Sequence, residues 1–184
     1  SARNILLNPT VDAAVFETAR GGLLREGLAF DHADVAVVTN IGVGDHLGLN
    51  FITTVDDLAV LKRVIVRNVA KNGYAVLNAA DPIVAVMATQ CPGKVIFFAA
   101  DPEHPVITSH KTQGGRVVYV HNGDVVAMEG AFETRLPLAG VPLTRNGTIG
   151  FQVENVMASA AAAWGLGLSW NAIRQGLASF KSDT

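Results

Sequence analysis

The chain has 184 residues, 49% hydrophobic and only 16% charged, with 14 Lys and Arg set against 16 Asp and Glu for a net charge of −2. That length suits one domain with a sizeable core, and a charged fraction so far below the roughly 25% of ordinary soluble domains requires much of the chain to be buried or to face a partner. No basic run offers a footprint for nucleic acid or an anionic membrane, the single cysteine, Cys91, rules out an internal disulfide or a cysteine-based zinc site, and no apolar run approaches the ~18 residues of a membrane span.

Short β-branched runs alternate with helical patterns along the first half of the chain. "DAAVF" (12–16) and "DVAVVTNIG" (34–42) read as strands. From Thr54 to Ala70 the apolar residues Leu58, Leu61, Ile65 and Val69 recur at helical spacing, with Thr54 as the cap and Lys62 at the edge of the stripe. "GYAVLN" (73–78), a helix after Pro82 and "KVIFFA" (94–99) follow. Strands alternating with helices of this length predict parallel βαβ units.

Beyond Pro105 the pattern changes. "RVVYVH" and "VVAME" flank Asn122-Gly123, a dipeptide that between β-branched runs predicts a two-residue hairpin and hence a small antiparallel side sheet. A helix from Thr148 to Gly165 carries Ile149, Val153, Val156, Met157, Ala160 and Trp164 on one side, and its alanine run at 160–163 allows close approach to a neighbour. Ser169 then caps a last helix running to about Phe180. The expected fold class is α/β, a mostly parallel sheet flanked by helices with a small antiparallel hairpin.

In an open parallel sheet ligands gather beyond the carboxyl ends of the strands. Glu17 directly follows "DAAVF", and Asp45 and His46 follow "VAVVTNIGVG" in a glycine-rich turn. Parallel strands would bring a carboxylate and an imidazole to one edge, where a divalent metal on nucleotide phosphates could take a ligand from each. On spacing alone a solvated loop or helix-capping glutamate and a local Asp-His hydrogen bond are the commoner roles, and the metal reading needs further support. His104, His110 and His121 lack metal-like spacing and read as surface residues, and no motif makes Cys91 a nucleophile.

The ordered set "ETARGGLLREGL", "VVTNIGVGDHLG", "LKRVIV", "AVLNAADP" and "GFQVENVMASAAAA" resembles the central, ATP-binding domain of the Mur ligase superfamily, and most closely its cyanophycin synthetase branch. By that resemblance Glu17 and His46 are magnesium ligands. Lys62 is the catalytic lysine that many members carry in carbamylated form, with a snorkelling surface lysine as the plain alternative. Asn155 would contact the adenine ring. Asn78 and Asp81 would lie close to the nucleotide, although Ala80 replaces an aspartate of the family pattern and Asp81 could instead cap the helix that Pro82 starts.

The resemblance implies an ATP- and Mg2+-dependent ligase that joins a carboxylate to an amine through an acyl phosphate. In the branch named, arginine is added to polyaspartate side chains. A peptidoglycan or folylpolyglutamate ligase and a non-catalytic α/β binding module are the alternatives. The glycine-rich phosphate loop that such an enzyme needs is absent from these 184 residues. The chain is therefore expected to be a central-domain fragment, truncated at its N-terminus, lacking that upstream loop and the downstream C-terminal domain, and inactive alone. Its expected partners are an amino acid, a polypeptide-like acceptor, flanking domains of its own chain and further copies of itself, and its expected location is the cytoplasm.

Overall fold

In a computed structural model, residues 2–19, 22–23, 27–41 and 54–180 are described. After a short helix α1 (Ala2–Leu6) come β1 (Ala33–Val38), α2 (Val55–Arg67), β2 (Val69–Asn78), α3 (Pro82–Ala85) with a 3-10 turn (Val86–Gln90), and β3 (Lys94–Ala99). Then follow α4 (Pro105–Thr112), β4 (Arg116–His121), β5 (Asp124–Glu129), β6 (Phe132–Pro137), α5 (Gly150–Gly165) and α6 (Trp170–Ser179).

The six strands form one sheet in sequential order, with β1 to β4 parallel and β4 to β6 antiparallel. Because crossovers between parallel strands share one hand, strands laid down in order carry their connecting helices on the same face. Leu58, Ala59 and Val66 of α2, Val84 and Met87 of the α3 segment and Ile107 of α4 accordingly pack there with Leu77, Phe97 and Val117. The opposite face is covered by α5 and α6, whose Val156, Met157, Ala160, Ala161 and Ile173 meet Val76, Ile96, Phe98 and Val118. Each large side chain buried this way contributes about 1.5–3 kcal/mol. A sheet covered on both faces is the physical reason for the low charge fraction.

Local chemistry sets the element ends. Thr54 and Asp57 form a reciprocal capping box, with Asp57 N–H donating to Thr54 Oγ1 and Thr54 N–H to Asp57 Oδ2, both at 3.1 Å. The hairpin predicted at Asn122-Gly123 forms, with both residues at positive φ (50° and 81°) as the tightest two-residue turn requires. Arg116 of β4 lies over the rings of Trp164 (4.2 Å) and Tyr74 (4.7 Å) and pairs with Glu129, fastening the end of α5 to the sheet.

The structure departs from the expected pattern in four places. Residues 12–16 form no strand: Val15 is 94% exposed, and Phe16 stacks on Phe30 with ring centroids 6.2 Å apart. Two alanines and a valine bury too little apolar area to offset the ordering of a sheet edge. The helix from Thr54 stops at Arg67, short of Ala70, because Val69 pairs with Ala33 and opens β2. There the β1–β2 register slips between Ala33 and Val35, and Gly73 lets the two backbones meet closely. Helix α4 and strand β6 were not anticipated. Finally, His104 and His110, expected at the surface, are only partly exposed and make structural contacts: His104 Nδ1 caps α4 by accepting from Val106 N–H (3.3 Å), and His110 Nε2 meets the Val95 carbonyl (2.9 Å) with its ring edge-on to Phe97.

Candidate functional site

A cavity of about 650 Å³ runs alongside β1 to its carboxyl end. The irregular segment 11–18 and β1 with its exit residues Thr39 and Asn40 line it, together with Lys62 and Ile65 of α2, Ala162 of α5 and Leu166 just past the end of α5. Glu17 and Lys62 both line it. The strand expected before Glu17 is missing, yet Glu17 still lines the cavity that borders β1.

Each side chain has a local reason for its place. Lys62 is half-buried on α2, two turns past the capping box, and its Nζ donates to the carbonyl of Asn40 at 3.3 Å. Glu17 is exposed and presents carboxylate oxygens, the donors that a hard divalent cation takes. Among the described residues no three of His, Cys, Asp and Glu gather as a metal cluster. His46, Asp45 and the glycines around them lie outside the described residues.

Asn78 and Asp81 act on backbone. Asn78, at the end of β2 and 6% exposed, accepts from Ala80 N–H at 2.9 Å. The turn it shapes presents Asp81, whose Oδ1 accepts from Ile83 N–H (2.9 Å) and Val84 N–H (3.2 Å) and so caps α3. Asp81 Oδ2 accepts from Ile41 N–H at 2.8 Å. Neither residue lines the cavity. Asn155 is exposed on α5, where its amide donates to Gln152 Oε1 at 3.1 Å. It too stands outside the cavity, about two turns before Ala162 on the same helix.

Sequence reasoning missed Asn40 and Ile41. Their part in the site is played by backbone groups, which carry no side-chain signature, toward partners 22 and 40 residues away. Cys91 is no nucleophile on physical grounds either. Burial pushes its thiol above the ordinary range, only partly offset by hydrogen bonds with the backbone of Gly93 and Ala75, and Sγ points to the Lys94 carbonyl at 3.5 Å.

Comparison with known proteins agrees with the fold. The chain is 44% identical over all 184 residues to a cyanophycin synthetase of Crocosphaera subtropica and 45% identical to one of Synechocystis, and it spans 21% of the length of each. It is 30% identical over 148 residues to a UDP-N-acetylmuramoylalanine–D-glutamate ligase of Desulfitobacterium hafniense, covering 80% of this chain and 29% of that one. Among solved structures, the UDP-N-acetylmuramoylalanyl-D-glutamyl-2,6-diaminopimelate–D-alanyl-D-alanyl ligase of Acinetobacter baumannii superposes on 81% of the chain and 29% of its own length, with a TM-score of 0.54 at 21% identity, a likeness of fold alone. The Mur ligase middle domain profile matches residues 4–163. With that match over most of its length, the chain belongs to the Mur ligase middle-domain family.

Proposed function

We propose that this chain is the central domain of a larger ATP-dependent amide ligase of the cyanophycin synthetase kind, which adds arginine to the side-chain carboxylates of a polyaspartate through an acyl phosphate. The observation that carries the proposal is that Glu17 and Lys62, 45 residues apart in sequence, line one cavity at the end of β1. Identities of 44% and 45% with cyanophycin synthetases, against 30% with the D-glutamate ligase, favour that branch over the peptidoglycan enzymes.

In this reading Glu17 and His46 hold Mg2+, and Lys62 serves the phosphoryl-transfer end of the site. Asn155, Asn78 and Asp81 belong to the nucleotide side. Bound Mg2+ supplies neutralisation of phosphate charge. The chain's own residues orient: Lys62 is held at Asn40, and Asp81 fixes the turn after β2. The phosphate loop and the amino-acid site would come from flanking domains, and a lone cysteine suits a reducing cytoplasm.

The test is Glu17→Ala in the full-length protein, assayed for phosphate release that depends on both arginine and a polyaspartate primer. Activity should fall to background. Because Glu17 is exposed, the stability of the 184-residue chain should change by less than about 0.5 kcal/mol. Undiminished turnover would refute the assignment.

A further inference from the structure

The peptide unit joining Asn40 to Ile41, just past the end of β1, is gripped from both sides. Its carbonyl accepts from Lys62 Nζ at 3.3 Å, and its N–H donates to Asp81 Oδ2 at 2.8 Å. A peptide dipole is positive at the N–H and negative at the carbonyl, so the carboxylate and the ammonium each meet the end of opposite sign. Hydrogen bonds in series through one amide polarise one another and strengthen together. The carboxylate is itself fixed, since Oδ1 is engaged by the amides of Ile83 and Val84 and the turn before it is shaped by Asn78. Ile41 is buried, so this N–H has little access to water as a substitute partner.

We propose that Asp81 is a positioning residue for Lys62, acting through the 40–41 peptide to aim the Asn40 carbonyl and to hold the Lys62 ammonium against the cavity that Glu17 lines. The inference rests on the reading of Lys62 as the group that serves the reaction. It also explains the choice of side chain. Capping α3 needs one acceptor, and asparagine caps a helix as well as aspartate does. Only the aspartate offers a second acceptor, whereas an asparagine would turn an N–H toward the Ile41 N–H.

Asp81→Asn in the 184-residue chain separates the two roles. Amide NMR with hydrogen exchange reads the backbone. The Ile41 resonance should move and its exchange accelerate about tenfold or more, the loss of a hydrogen bond to a charged group, while Ile83 and Val84 keep their protection. Limited acetylation with acetic anhydride, quantified by mass spectrometry against Lys71 as internal reference, reads the ammonium. Lys62 should react about threefold faster or more once its carbonyl partner is released.

Unchanged exchange at Ile41, or faster exchange at Ile41 with unchanged Lys62 reactivity, would overturn the proposal. Should Asp81→Asn fail to fold, Lys62→Met tests the same link in reverse: the Ile41 amide should shift and lose protection, and an unmoved Ile41 overturns it. None of these readouts uses nucleotide or turnover, so failure of the ligase reading appears separately, in the Glu17→Ala assay.

Discussion

Gly73→Ala should destabilise the domain at the strand pair that borders the cavity. A Cβ built on Gly73 would stand 2.4 Å from the carbonyl oxygen of Asp34 in β1, 3.1 Å from the carbon of that carbonyl and 3.2 Å from the carbonyl oxygen of Ala70. The closest ordinary carbon–oxygen approach is about 3.3 Å, so the first contact is too short by about 0.9 Å. All three atoms are backbone, and no rotamer change relieves them. Overpacking costs about 1–3 kcal/mol, and with no flexible group to yield the upper value applies. Loss of glycine's freedom in the unfolded chain returns about 0.4–1 kcal/mol. The net of about 2 kcal/mol corresponds to a fall in Tm of about 4–8 °C for a domain of this size. Thermal unfolding by circular dichroism measures the loss, and hydrogen exchange should localise it to the β1 and β2 amides near the register slip at Ala33 and Val35. Gly140→Ala is the control, because a Cβ there meets nothing within 4 Å. Equal midpoints for the two variants would refute the close-approach reasoning.

Gly176→Ala should do the opposite. Gly176 sits inside α6 with open space where a Cβ would go, so alanine should add about 0.5–1 kcal/mol through helix propensity, seen as a higher denaturation midpoint in urea; a lower midpoint would contradict it. Cys91 should react with a disulfide reagent at pH 8 about tenfold or more slowly than a free thiol, and at full speed once guanidinium unfolds the chain, because burial keeps it protonated in the native state. The linkage has a definite sign. With the folded value raised, the contribution of Cys91 to stability is complete below the ordinary thiol range and is lost as pH rises through the raised value.

The sequence alone was enough for several features that depend on neighbours a few residues apart. Thr54 with Asp57, the Asn122-Gly123 hairpin, Ser169 before α6 and the apolar stripe of α5 are fixed by i to i+3 or i+4 geometry, and each forms as its pattern requires. One half of Asp81 was legible in the same way, since its hold on Ile83 and Val84 spans two and three residues. The other half was not. Its hold on Ile41 spans 40 residues and exists only because β1 and β2 lie side by side in the sheet. The same distinction covers segment 12–16, where a β-like composition competes with Phe16 stacking on Phe30 and the tertiary contact decides. It covers the site as well: Glu17 could be singled out from its place in the sequence and Lys62 from the family resemblance, but their meeting at one cavity, and the bond from Lys62 to the Asn40 carbonyl, are properties of packed layers. Local patterns determine elements because backbone hydrogen bonds and caps act over a turn or less, while the placement of a charge against a distant peptide awaits the burial of the sheet between its helices.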